Sequence, residues 1–248
     1  MSESNPPLRD AALTPSRIEK AGKRLAKGIE TPDDLDLIAS FQRYVRRVTA
    51  GIYPRIAAHI REEFFADFDI TQRSEKRLDS IRRKLQREKT RLQTMQDHAG
   101  CRVVTLSVLA SGEIGEILAG YFSDQKAARM ERQIRDGRRT GYRSLHYKIG
   151  VEDVSYETQI RTDVENAWAQ LAERFDEQYP GVKYGEGDRR VFERLKQLAD
   201  ACRIFEERRA ELIHERAGES DVHPAHIPEI RLERRRIDVL FAEMEGFL

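Results

Sequence analysis

The chain has 248 residues and a formal net charge of +1; 39% of its residues are hydrophobic and 35% are charged. That length suits one compact domain with helical extensions, or at most two small domains, and the near-neutral balance excludes a general coat for a long polyanion. Two cysteines far apart, Cys101 and Cys202, exclude a disulfide framework and a zinc site. No apolar run approaches membrane length and no apolar signal core is visible, so a cytoplasmic protein without a membrane segment is expected.

In chain order, residues 1–13 read as a disordered leader. Thr14-Pro15 opens a short basic helix ending near Gly28. Thr31-Pro32-Asp33-Asp34 is a helix start, with an N-cap Thr, Pro at the first helical position and acids in the first turn. Leu35, Ile38, Phe41 and Val45 mark its apolar stripe. Gly51 to Pro54 interrupts, and a helix resumes over 56–65. Residues 74–94 form a helix in a strongly basic stretch: residues 73–91 hold nine Lys/Arg against three Asp/Glu. Residues 102–108 are a buried strand, 114–122 a helix, and a strand near 129–134 lies in a second basic stretch. A hairpin over 143–161 is followed by helices over 163–175, 188–216 and 229–246. Strands near 102, 130, 145 and 157 with helices around them predict an α/β (α+β) chain, a mixed sheet covered by helices.

The hairpin is the most specific part. In Gly141-Tyr142-Arg143-Ser144-Leu145-His146, followed by Glu157-Thr158-Gln159-Ile160-Arg161-Thr162, strict alternation puts His146, Lys148, Glu157, Gln159 and Arg161 on one face. Leu145, Tyr147, Ile149, Tyr156 and Ile160 take the other. A tight turn centred on Val151-Glu152 sets His146 opposite Glu157, Ser144 opposite Gln159 and Tyr142 opposite Arg161.

GYRSLH followed by ExQIRT closely resembles the synthetase domain of the RelA/SpoT family. So do Asp97-His98-Ala99-Gly100-Cys101-Arg102, in the pattern D-x-x-G-x-R, and Lys76 to Lys84, in the pattern K-x-x-x-S-I-x-x-K. The resemblance implies a nucleotidyltransferase-like core over 73–184, with helical extensions over 14–72 and 185–248. It also implies transfer of pyrophosphate from ATP to a nucleotide ribose hydroxyl, with Mg2+ as cofactor. By the same resemblance Asp97 and Glu157 are the catalytic and metal-binding acids, and Glu157 activates the ribose 3′-hydroxyl. Lys76, Ser80, Lys84 and Arg102 bind ATP. The family arginine two residues before the lysine is Ser74 here, and Arg73 or Arg77 is expected to replace it. Tyr142 would stack on the acceptor base and His146 would lie near the acceptor phosphates; Arg138, Arg143, Gln159 and Arg161 complete the acceptor set.

Two departures bear on the acceptor. The family's K-x-N-G-Y is Arg138-Arg139-Thr140-Gly141-Tyr142 here, and the helix Asn166 to Glu173 resembles that of stand-alone members, toxic ones included. No HD pair occurs, so the expectation is a monofunctional small alarmone synthetase making (p)ppGpp from GDP or GTP. A toxic relative acting on the tRNA 3′ end or on adenosine nucleotides, paired with an antitoxin, is the alternative. A non-catalytic binding module is the third reading. A homo-oligomer is expected.

Overall fold

The computed structural model describes residues 13–73, 76–123, 129–135, 139–216 and 223–248, with 129–135 described by backbone alone. The expected leader up to residue 12 lies outside them, whereas Leu13 is buried against the first helices rather than part of a free tail. Helices α1 (Pro15–Lys27), α2 (Pro32–Thr49) and α3 (Ile52–Glu63) come first. Then follow β1 (Phe68–Gln72), α4 (Leu78–Glu88), β2 (Ala99–Thr105), α5 (Val108–Ser123), β3 (Arg129–Arg135), β4 (Ser144–Val151) and β5 (Val154–Thr162). Helices α6 (Asp163–Gln178), α7 (Arg189–Glu215) and α8 (Pro228–Glu245) close the chain.

Local chemistry sets several boundaries. Thr14 caps α1 and Gly28 ends it in the left-handed region. Thr31 and Asp34 form a capping box on α2, as Thr162 and Glu165 do on α6. The expected 74–94 helix is shorter: α4 starts at Leu78 and stops where Lys89 turns left-handed. The expected 102–108 strand sits three residues earlier, because Ser107 caps the start of α5 through the Ala110 amide.

The sheet runs β1-β2-β5-β4-β3; β2 and β5 are parallel and the other pairs antiparallel. Strand β1 was not anticipated. It is an edge strand with mostly exposed residues, so it lacks the apolar alternation that reveals inner strands. The predicted hairpin register is corrected by two residues: the turn is Glu152-Asp153, His146 pairs Gln159, and Lys148 pairs Glu157. Glu152 takes φ 52°, and the Tyr44 hydroxyl of α2 bonds the turn's two carboxylates, at 3.0 Å to Glu152 and 2.5 Å to Asp153. A two-residue shift keeps every side chain on its predicted face.

The apolar face carries Cys101, Val103, Tyr147, Ile149, Tyr156 and Ile160, packed under α3 and α5 through Ile56, Ile60, Ile114 and Leu118. Burial of each aliphatic side chain contributes roughly 1.5–3 kcal/mol. The opposite, polar face is not left open to solvent. Instead His146, Glu157, Gln159 and Arg161 are buried there. Gly100 makes the close β2–β5 approach possible, since a Cβ on it would overlap the Glu157 carbonyl oxygen. Gly100→Ala should therefore destabilise the protein by about 1–3 kcal/mol, as overpacking of a rigid neighbour does. Thermal unfolding reads this, and an unchanged Tm would contradict the close approach.

Candidate active site

The polar face of the sheet is a hydrogen-bonded network centred on Glu157. One carboxylate oxygen accepts from His146 Nδ1 at 2.8 Å. The other accepts from Arg73 Nη1 and from Gln159 Nε2, each at 2.8 Å. His146 and Glu157 are diagonal neighbours across the strand pair, not direct partners, and still meet. His146 Nε2 lies 2.9 Å from the Tyr142 hydroxyl, to which Arg161 also donates. His146 thus bridges Glu157 through one ring nitrogen and Tyr142 through the other. The Arg161 guanidinium lies 4.8 Å from the centre of the Tyr142 ring. Tyr142 is placed by Gly141, whose φ is 86° and whose Cα faces Trp168 of α6 and Ala199 of α7 with no room for a side chain.

A second cluster lies just ahead of β2. Asp97 pairs with Lys76, at the entry to α4, and with Lys84 of α4 at 2.8 Å. Lys76 lies just before the N-cap of α4 and Lys84 in the helix, and both ammonium groups reach the one carboxylate. Between the clusters, Arg102 of β2 pairs in register with Gln159 of β5.

The electrostatics favour charge on both acids. Burial pushes the Glu157 carboxyl up, but the His146 hydrogen bond, its charge and the charge of Arg73 bring it down to about 2. Burial also works against Asp97, and Lys76 and Lys84 hold its carboxyl well below the usual range. The Arg102 guanidinium is pushed down by burial first, then by the nearby charges of Arg161 and Arg73. Three guanidinium groups thus lie near one another, and one of them, Arg73, is paired with Glu157. Arg102 Nε, Arg161 Nε and Gln159 Oε1 are buried without a hydrogen-bond partner. Unsatisfied buried polar atoms of this kind mark a place for a ligand, and the sign of the crowd calls for an anion.

Not every predicted residue joins the site. Arg73 reaches Glu157, whereas Arg77 is an exposed N-cap of α4. Ser80 is half-buried on α4. Arg143 lines another cleft, about 890 Å³, with Glu165, Lys196, Asp200, Arg203 and Glu206, none of which belongs to the Glu157 network. Arg138 lies outside the described residues. Sequence reasoning passed over Lys148, which is buried on this face in register with Glu157. Its place in the alternation was the available signal. His98, inside the D-x-x-G-x-R segment, is structural: it is buried, bonded to the Leu92 carbonyl at 2.7 Å and set edge-on against Phe41.

The residues fit a magnesium ion bound with a polyphosphate. Asp97 and Glu157 are ionised oxygen donors, and the charge of Asp97 is felt at Glu157. Among the described residues no group of three or more metal-ligating side chains exists. Mg2+ commonly takes one or two carboxylates and completes its shell with phosphate oxygens and water.

The depressed Glu157 carboxyl has a stability consequence. Its folded value is about 2 against an ordinary 4.5, so it stabilises the fold fully above about pH 4.5. That share is lost as pH falls through about 2. Glu157→Gln should accordingly flatten the acid limb of a stability–pH curve measured by denaturant unfolding. Parallel limbs in variant and parent would contradict the network.

Comparison with known proteins agrees with this geometry. The region found in RelA / SpoT proteins matches residues 73–181. Uncharacterized proteins of Mycobacterium bovis and Mycobacterium tuberculosis are 28% identical over 187 residues, 74% of this chain; the chain covers only 64% of their length. Among solved structures, small alarmone synthetase 1 of Bacillus subtilis bound to its product pppGpp aligns at 22% identity and TM-score 0.57. It covers 72% of this chain and 99% of its own. A GTP pyrophosphokinase family protein of Streptococcus pneumoniae aligns at 23% identity and TM-score 0.55, covering 75% and 95%. These likenesses establish the mixed sheet with helical extensions as the small alarmone synthetase fold. No helix among the described residues is long and apolar enough to cross a membrane. The residues matched to the region found in RelA / SpoT proteins, 73–181, include both clusters described above.

Proposed function

We propose that this chain transfers pyrophosphate from ATP to the ribose 3′-hydroxyl of GDP or GTP, giving (p)ppGpp. The observation that carries the reading is the group of Arg73, Arg102 and Arg161, with Arg73 on an ionised glutamate and the Nε atoms of Arg102 and Arg161 unpaired, together with a carboxylate held by two lysines. Such a surface suits a bound triphosphate better than a neutral substrate.

Lys76, Lys84 and Arg102 hold the triphosphate of ATP. Asp97 and Glu157 would hold magnesium, whose charge offsets that of the phosphates. Tyr142 stacks the acceptor base, which for stacked bases is worth about 1–3 kcal/mol. The acceptor's 3′ oxygen forms a bond to the β-phosphorus, the bond from that phosphorus to the α–β bridging oxygen breaks, AMP leaves, and the hydroxyl proton goes to Glu157. A carboxyl at about 2 is a weak base. Arg73 is one of the groups that keep it there, so movement of Arg73 onto phosphate strengthens the base when substrate is present.

AMP should therefore be the nucleotide released from ATP, as ion-exchange separation of products reads directly; ADP as the main product would mean an ordinary kinase or ATPase. Glu157→Gln should lower kcat by at least about 10²-fold, the lower end of a general-base contribution, with ATP affinity kept. Near-parental turnover would remove the acid–base role.

A second reading changes only the acceptor. Lys20, Lys23 and Lys27 are exposed on α1, a surface available to the tRNA backbone. Their charge reversal should leave GDP turnover near normal. Strong labelling of deacylated tRNA that is lost on charge reversal, with no guanosine product, would establish the second reading instead.

A further inference from the structure

Lys148 lies on β4 two residues beyond His146 and is 8% exposed. Its register neighbours are Glu157 on β5 and Glu131 on β3. Register does not produce an ion pair with Glu157, whose two oxygens are occupied by His146, Arg73 and Gln159. Among the described side chains no carboxylate pairs with Lys148. The stem is buried but the ammonium is not sealed from solvent, so it remains accessible to an anion.

The position says which anion. Lys76, Lys84 and Arg102 come from α4 and β2, on one side of Glu157. Tyr142, His146 and Lys148 come from β4 and the segment leading into it, on the other side. The resemblance expected His146 to meet the acceptor phosphates, but both its ring nitrogens are committed, one to Glu157 and one to Tyr142. Among the described residues Lys148 is a cation of this side with no carboxylate partner. We propose that Lys148 binds the 5′-phosphate of the acceptor nucleotide and so makes the site prefer nucleotides to nucleosides. The word acceptor rests on the pyrophosphokinase reading; the phosphate contact itself does not.

Equilibrium binding tests it without turnover. GDP against guanosine, and AMP against adenosine, are titrated into protein whose donor site is saturated with a non-hydrolysable ATP analogue. The parent should prefer one nucleotide to its nucleoside by at least about tenfold, the worth of one charge-assisted bond. Lys148→Met should lose that preference while nucleoside and ATP-analogue affinities hold, and Lys148→Arg should keep most of it. Equal weakening of nucleotide and nucleoside, loss confined to the ATP analogue, or an unchanged preference would each overturn the proposal. Glu131→Gln supplies the control for a purely neutralising role: if Lys148 only balances Glu131, the double variant regains nucleotide preference, and the proposal predicts that it does not. Should Lys148→Met fail to fold, as circular dichroism would show, Lys148→Gln against Lys148→Arg carries the same comparison. Absence of AMP release with every acceptor would refute the transfer reading while leaving the binding difference to be read separately.

Discussion

Much of this molecule follows from keeping one carboxylate ionised inside a sheet. Glu157 sits on an inner strand, where burial favours the neutral acid, and charge survives because His146, Arg73 and Gln159 all point hydrogens at it. That demand shapes the surroundings. It fills the polar face with basic groups, leaves the apolar face to carry the packing under α3 and α5, and needs β2 to come close enough for Gly100 to lie flat against the Glu157 backbone. It also ties in Tyr142 and Arg161, which complete the bonds of His146.

The same arrangement explains how a site rich in cations stays folded without a ligand. Lys76 and Lys84 share Asp97, with Glu88 also 3.6 Å from Lys84, and Arg73 pairs with Glu157. Under the proposed function these pairs would be exchanged: a triphosphate would offer the same cations multidentate oxygen partners and free the carboxylates for metal and proton transfer. Arg102 and Arg161, with buried nitrogens unpaired, are already waiting for such a partner. Stored electrostatic imbalance of this kind is what preorganisation at an active site consists of.

The faces of the hairpin were legible because strand alternation is insensitive to a register error of two: His146, Glu157, Gln159 and Arg161 fell on the right side although the turn was placed wrongly. The turn was missed because a non-glycine residue, Glu152, takes the left-handed conformation there and Tyr44, distant in sequence, ties the turn's carboxylates to α2. Lys76, Lys84 and Asp97 were singled out by their motifs, but the pairing of both lysines with Asp97 was not, because Lys76 lies ahead of the helix and its direction is set by tertiary packing. The burial of the polar face was not, since charged residues read as solvent-facing until tertiary packing covers them. Arg143, adjacent to Tyr142 in sequence, turns to the α6–α7 cleft, a direction that local pattern does not carry.

The central claim is that the cations of the polar face exchange their carboxylate partners for the phosphates of ATP. A crystal structure with a non-hydrolysable ATP analogue tests it most directly. The account predicts Lys76, Lys84 and Arg102 within hydrogen-bond distance of phosphate oxygens, with Arg73 withdrawn from Glu157. An analogue bound elsewhere, or bound here with the Asp97 and Glu157 pairs unchanged, would contradict it.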